Sequence, residues 1–423
     1  MRKLAINGGP KRINKTFYLG ATYFEEEISA VTDVIKSNTI SGFVANDGPK
    51  FYGGEKVKEL ESLFNEYFRS KYAIASNSAT SALHSALVAI GVGKDDEVIV
   101  PSVSMSATAT SILMAGGKPV FVDINNGRCP SCSCNIKDRD NRGCFNINTD
   151  LIEENITGNT KAIIVVHLFG KSADMENILR LSRKYNLKVI EDCAQSPGAI
   201  YNEKLVGTIG DIGIFSFNQS KTISAGEGGV AITDNAKYAL RMQLMRNHAE
   251  AMIESFPEAE MPNLIGYNYR ITDLEATIAV EQFKKLKQFN KKKIILANQL
   301  TRNLSGVSGI VPISHISEFE NVLFIYPIIF NEKIIKISRK DFVTVCIAEG
   351  IPMVQGYTTP LTELPIFKKY CQHRGKYKIA NELHESKLIS LKVCHHHNVA
   401  LEDIDSISEA IKDVVNYYTN NNI

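Results

Sequence analysis

From about residue 55 to residue 235, short apolar runs alternate with segments whose apolar positions recur at helical spacing. VKELESLFNEYFRSK reads as a helix and YAIAS as a short strand after it. SALHSALVAIGV reads as a helix ended by glycine, DEVIVPS as a strand, SATATSILMAGG as a helix and KPVFVDI as a strand. KAIIVVHLFG, ADMENILRLSRKYN and LKVIEDCA continue as strand, helix and strand, and IGIFSF and GGVAITD add two more strands. Apolar strands alternating with helices predict an α/β fold, a mostly parallel sheet covered on both faces. In such sheets ligands bind at the carboxyl ends of the strands.

The character changes after Asp273. LEATIAVEQFKKLKQFNKKKIILANQLTRNL is one long, lysine-rich helical pattern that leads out of the first domain. Beyond it a shorter strand (VLFIYPIIF) and helices (RKDFVTVCIAEG, IDSISEAIKDVVNYY) predict a smaller α/β domain. The expected division is a large domain over residues 1–290 and a small C-terminal domain over 291–423. One segment, NNGRCPSCSCNIKDRDNRGCFNIN, breaks the alternation; as an insertion at about 126–146 it is polar, aperiodic and expected to be a surface loop.

Composition narrows the class. A chain of 423 residues suits two or three domains, and 44% apolar with 22% charged residues is globular usage. The 48 basic and 46 acidic side chains are interleaved, so the clustered positive charge of a nucleic-acid binder is missing. The N-terminal stretch has no apolar core of signal-peptide length, and apolar runs such as residues 162–166 are far short of a membrane span. A cytoplasmic protein is expected. Its eight cysteines are then thiols or metal ligands rather than disulfides.

Candidate chemistry concentrates between Glu191 and Gly229. EDCAQSPGA puts a carboxylate, Asp192, just past an apolar run, and FSFNQSKTISAGEGG puts a lone lysine, Lys221, among small and polar residues. A pyridoxal phosphate enzyme needs both groups. The lysine forms a Schiff base with the cofactor aldehyde, and the aspartate keeps the pyridine nitrogen protonated. ASNSATSALHSAL follows a strand and opens a helix with Ser78, Ala79 and Thr80 in its first turn, where backbone N–H groups can take a phosphate, although such residues also serve simply as caps. Ser216 can add a hydroxyl, and Gln195 can hydrogen-bond the cofactor's phenolic oxygen.

Several separated motifs then occur in order: LAINGGP, SALHSALVAIGVGKDDEVIVPS, KAIIVVHLFGKSADM, KVIEDCAQSPGA, SFNQSKTISAGEGG, RNHAEA, GYNYRITDLEATIA and PLTELPIF. In these the chain resembles, over nearly its whole length, the DegT/DnrJ/EryC1/StrS sugar aminotransferase family of fold-type-I pyridoxal phosphate enzymes. The resemblance implies a large domain with a seven-stranded-type sheet between helices and a smaller C-terminal domain. It implies Lys221 as the Schiff-base lysine and proton shuttle, and Asp192 as the pyridine partner. Ala79, Thr80 and Ser216 would hold the phosphate, Gln195 would contact the ring oxygen, and Gly226 to Gly229 would form the turn presenting the lysine. Asn268 would reach the cofactor of a partner subunit, which implies a homodimer with shared sites.

The implied reaction moves an amino group from an amino acid, glutamate by family habit, to a keto sugar, nucleotide-linked in most members and a keto-cyclitol or sugar acid in others. The nearest alternative is the deoxysugar dehydratase branch, which replaces the lysine by histidine; Lys221 argues against it. A non-catalytic regulator on the same scaffold would be expected to lose Lys221 or Asp192.

Three positions depart from the family pattern. Ala79 stands where a glycine is usual, Met105 where an aromatic ring stacks on the cofactor, and Thr362 where a tyrosine follows the proline and leucine of a later loop. His167 and His248 lie in family motifs and also suit core or capping roles. Cys129, Cys132, Cys134 and Cys144 could bind zinc or an iron–sulfur cluster, or could be reduced thiols on an exposed insertion. His395, His396 and His397 read as a solvated run rather than a metal site.

Overall fold

The computed structural model describes residues 2–17, 20–125, 145–250, 264–313, 321–371, 377–393 and 398–420. The cysteine positions 129, 132, 134 and 144 and the histidine run 395–397 lie outside these described residues.

Helices α1 (Glu25–Lys36) and α2 (Glu55–Phe68) precede the first strand. There follow β1 (Tyr72–Ser76), α3 (Ala79–Ala89), β2 (Glu97–Pro101), α4 (Ala107–Met114) and β3 (Lys118–Val122). Next come β4 (Thr160–Val166), α5 (Met175–Tyr185) and β5 (Lys188–Asp192). A short hairpin, β6 (Ile200–Tyr201) with β7 (Lys204–Leu205), leads to β8 (Ile212–Ser216), β9 (Gly229–Thr233) and α6 (Ala236–Arg246). The main sheet has seven strands in the order β1-β9-β8-β5-β4-β2-β3. Strand β9 is antiparallel to both neighbours, and the other pairings are parallel.

Sequence explains each layer. β8 and β9 are buried along their whole length, and β4 from Ala162 onward, so their side chains of both parities are apolar. α5 shows the complementary pattern. Met175, Ile178 and Leu181 face the sheet, Asp174 caps its start by accepting from Asn177 N at 3.3 Å, and Asn186 ends it in the left-handed conformation.

Next come α7 (Asp273–Lys284), whose Ala276, Ala279, Val280 and Phe283 pack in the core beneath the large sheet, and α8 (Leu286–Leu304), which leads into the C-terminal part. The single long helix expected there is two helices. At Lys285 the backbone turns to φ −94°, ψ −2°, and its N–H bonds back to Gln282 O at 3.1 Å, which tightens and ends α7. The Lys285 ammonium holds the break in place by pairing with Glu26 at 3.1 Å and Glu27 at 2.8 Å on α1. Then come β10 (Ile310–Pro312), β11 (Tyr326–Phe330), α9 (Glu332–Ile335), α10 (Arg339–Ala348), β12 (Met353–Gln355), α11 (Lys378–Glu382), β13 (Leu388–Leu391) and α12 (Leu401–Asn420). Their four-stranded sheet, β10-β11-β13-β12, is antiparallel throughout. The start of the chain packs with this part. Leu4 and Ile13 enter its core, and the buried Glu349 carboxylate accepts from Ala5 N at 2.7 Å, Arg12 N at 3.1 Å and Arg2 at 2.8 Å.

One buried cation ties the sheet edge to the segment before α2. Arg246, at the end of α6, is fully buried and pairs with Glu61 at 2.6 Å. It also donates to Ala75 O at 2.9 Å and Tyr52 O at 3.2 Å, and stacks over the Phe43 ring at 4.8 Å. Arg246→Met removes the partner of a largely buried carboxylate, and the expected loss of about 3–5 kcal/mol should appear in urea denaturation; an unchanged midpoint would show that Glu61 does not need it.

Candidate active site

Parallel strands end along one edge, and the residues after β1, β2, β4, β5 and β8 gather there. Antiparallel β9 starts at the same edge. Asp192 is the last residue of β5 and is 5% exposed. Its Oδ2 accepts the Thr108 hydroxyl at 3.0 Å and its Oδ1 accepts Ala194 N at 3.1 Å. Burial pushes its carboxyl above the usual carboxylate range, while the Ala194 N–H, the Lys221 charge and the Thr108 hydroxyl pull it back.

Lys221 lies in the loop from β8 to β9. That loop folds back on itself through Gln219 N to Gly226 O at 2.8 Å and Ala225 N to Phe217 O at 2.9 Å. Gly226 turns it at φ +85°, a conformation that suits glycine. The half-buried Lys221 Nζ sits 4.3 Å from the centroid of the Phe324 ring. Loss of hydration lowers its pKa to about 8, and Asp192 opposes the shift.

The loop's far end meets the start of α3. Ser78 pairs with Gly228, and a Cβ on Gly229 would lie 2.5 Å from Ala79 N, so only glycine lets the two backbones approach this closely. Ser78 itself is spent as a cap. It accepts from Ser81 N at 3.1 Å, and because Ser81 gives its own proton to Asn77, Ser78 donates to Ser81 Oγ at 2.9 Å. The N–H groups of Ala79 and Thr80 belong to the first turn, which a helix cannot satisfy from within. Ser216 ends β8 on the same edge; its oxygen accepts from Asn218 N at 3.3 Å, leaving its proton to donate. Asn268 is exposed. Its carbonyl accepts from Asn77 Nδ2 at 3.5 Å beside the α3 start, and Asn77 N donates to Tyr269 O at 2.8 Å.

Gln195 is held at both ends of its amide. Oε1 accepts from Phe169 N at 2.9 Å, and Nε2 donates to the Tyr357 hydroxyl at 2.9 Å. Tyr357 comes from the C-terminal part, and sequence reading missed it. Burial and the nearby Asp192 charge push its phenol up, so it stays protonated. The residues after it continue the clasp: Thr358 donates to Ser104 O at 3.2 Å and Leu361 N to Ser102 O at 2.8 Å. Phe324 was missed for the same reason. It is held by its N–H to Phe169 O at 2.9 Å, at a position where Phe169 takes a left-handed φ of +59°. Phe324 and Tyr357 lie more than a hundred residues from the groups they touch, where only spacing-independent contacts could reveal them. Ser104 and Thr108 carried a signal, two hydroxyls four apart at a helix start after a strand end.

The other expected residues fall as follows. Met105 is 55% exposed, while Ser104 beside it is buried. Thr362 is buried in a short 3-10 turn. His167 is fully buried: Nδ1 accepts from Ala173 N at 3.0 Å, so Nε2 carries the proton and donates to Glu191 at 3.0 Å. Glu191 also accepts from Gly207, Ile209 and Gly210 N–H groups at 2.9, 2.7 and 2.7 Å. His167, Glu191 and Cys193 are close enough to surround an ion, but the imidazole nitrogens and carboxylate oxygens are already engaged, so the trio is a strut. His248 is partly exposed in a left-handed turn and pairs with Glu250 at 3.5 Å. Among the described residues no helix is long and apolar enough to cross a membrane.

Comparisons with known proteins match this architecture. An uncharacterized protein of Methanocaldococcus jannaschii is 32% identical over 398 residues, covering 92% of this chain and 95% of that one. GDP-perosamine synthase of Caulobacter vibrioides is 36% identical over 267 residues, covering 60% and 67%. The aminotransferase from Psychrobacter cryohalolentis superposes with a TM-score of 0.79 at 26% identity, covering 95% and 99%. PseC of Helicobacter pylori, an aminotransferase of pseudoaminic acid biosynthesis, shares the fold with a TM-score of 0.80 at 24% identity, covering 96% and 100%. The family model for these aminotransferases matches residues 25–412. The chain belongs to the DegT/DnrJ/EryC1/StrS aminotransferase family.

Proposed function

We propose that this enzyme uses pyridoxal phosphate to move an amino group from an amino acid, glutamate the expected donor, to the keto group of a nucleotide-linked sugar. The observation that carries the reading is that Lys221 and Asp192 lie near enough at the carboxyl edge of the sheet for each charge to act on the other. The name of the Caulobacter relative, a GDP-perosamine synthase, supports the sugar class.

Three features fit the cofactor: a lysine whose amine is partly unprotonated near neutrality, a buried carboxylate with lone pairs to spare, and a helix start with a side-chain-free neighbour at Gly229. When bound, the cofactor supplies a ring that accepts the electron pair left on a substrate carbon. Lys221 Nζ would attach the cofactor and hold or move the proton at the reacting carbon; with a pKa of about 8, about a tenth of the amine is unprotonated at pH 7. Asp192 would hold the pyridine nitrogen. Ala79, Thr80 and Ser216 would donate to the phosphate, and Gln195, oriented by Phe169 and Tyr357, would donate to the phenolic oxygen. Met105, which is exposed, would pack on the cofactor ring.

The reading includes a homodimer in which Asn268 completes the partner's site. Supporting it, Ile28 and Ile35 are exposed seven residues apart on α1, two turns of one face, and Ile40, Val44 and Ile265 are also exposed.

Cofactor capture by the apo-protein, followed by absorbance, should quicken with rising pH and level off above about 8, because the unprotonated Lys221 amine is the attacking form. A rate independent of pH between 6 and 9 would contradict that. With a panel of nucleotide-linked keto sugars and glutamate, turnover should fall roughly 10²–10⁴-fold or more in Lys221→Ala; transfer at the wild-type rate would sink the assignment. Co-expressing Lys221→Ala with Asn268→Ala should restore roughly a quarter of wild-type activity, since half the dimers then hold one intact shared site. No restoration would place Asn268 in its own subunit's site, while about half of wild-type activity, with Asn268→Ala active by itself, would place it in no site.

A further inference from the structure

We propose that Ser104 and Thr108 form a one-way hydroxyl chain that keeps Asp192 a weak base, so that the shared proton stays on the cofactor's ring nitrogen. The inference rests on Asp192 facing that nitrogen.

Proton counting sets the direction. Thr108 has one hydroxyl proton, and it lies toward Asp192 Oδ2 at 3.0 Å. The 2.8 Å contact between Ser104 Oγ and Thr108 Oγ1 must therefore be filled by the Ser104 proton. Ser104, Thr108 and Asp192 are 1%, 0% and 5% exposed, so water does not compete for these bonds. The chain is also pinned from the C-terminal part, where Thr358 donates to the Ser104 carbonyl at 3.2 Å. The positions are local to the turn from β2 into α4. Ser104 and Thr108 are four apart, and Thr108 N donates to Met105 O at 3.1 Å, which closes the turn and sets both hydroxyls on the same side.

A carboxylate that accepts a hydrogen bond holds its negative charge more readily and takes up a proton less readily. Burial works the other way on Asp192. Without the Thr108 hydroxyl the balance tips toward a protonated carboxyl, and the proton between Asp192 and the ring nitrogen shifts from nitrogen to oxygen. No bond to carbon changes, and the proton count of the pair is unaltered. Ser104 polarises the Thr108 hydroxyl and strengthens the bond it donates. Thr108 and Ser104 are thus positioning residues that act through Asp192.

The test uses full-length protein loaded with pyridoxal phosphate carrying ¹⁵N in the ring, comparing the ring-nitrogen chemical shift and the cofactor dissociation constant. Thr108→Val should move the shift toward the unprotonated value and weaken cofactor binding about tenfold, the range of a hydrogen bond to a charged group. Thr108→Ser, which keeps the hydroxyl, should restore both. Ser104→Ala should change both in the same sense but less. A Thr108→Val protein with wild-type shift and affinity would overturn the proposal. So would a folded Thr108→Ser protein that stays displaced, or a larger effect at Ser104 than at Thr108. Asp192→Asn separates the two levels of inference. If it leaves the ring shift unchanged, the placement of Asp192 is wrong; if it moves the shift and Thr108→Val does not, only the hydroxyl chain fails.

Discussion

The site depends on burying negative charge at the end of a central strand and keeping it usable. β5 ends in two consecutive carboxylates, Glu191 and Asp192, both buried. Consecutive strand residues point to opposite faces, so each needs its own neutralising environment. Glu191 is fully engaged by His167 and three backbone N–H groups, which also fold the loop over residues 207–210 against the sheet. Asp192 is only partly engaged, by Thr108 and Ala194, and Lys221 lies near enough to be felt. One carboxylate builds the scaffold, and the other keeps capacity for a ligand.

That division shapes what surrounds Asp192. Lys221 must come close without forming a locked ion pair, and the β8–β9 loop achieves this by folding back over Gly226 and setting the amine against the Phe324 face. Burial then lowers the lysine toward neutrality, while Asp192 limits how far it falls. The same low-hydration environment acts in opposite senses on the two groups, bringing their proton affinities nearer to each other.

The C-terminal part closes over this edge with three bonds from five consecutive residues. Tyr357, Thr358 and Leu361 reach Gln195, Ser104 and Ser102, which lie after two different strands. Asp123 adds a fourth link, accepting from Ile379 N at 2.8 Å and Ala380 N at 3.0 Å at the start of α11. A shift of the C-terminal part would therefore be felt at this edge of the sheet through ordinary hydrogen bonds. The packing of Leu4 and Ile13 with the C-terminal core means the chain's first residues move with that part.

Local chemistry was legible where periodicity or a motif carries it. The strand–helix alternation, the parallel sheet, the Asp192–Lys221 pair and the small residues opening α3 could all be read from neighbours along the chain, because backbone geometry and capping act over a few residues. The break at Lys285 could not, because its apolar spacing remains helical and it is stabilised by Glu26 and Glu27, more than two hundred residues away. Tyr357 at Gln195 and Phe324 under Lys221 were likewise decided only by tertiary structure. Sequence determined which groups can accept a phosphate, hold a proton or form a covalent link, since these belong to the side chain itself. Which of them are dry, oriented and left with a lone pair to offer depends on partners that folding brings from distant segments.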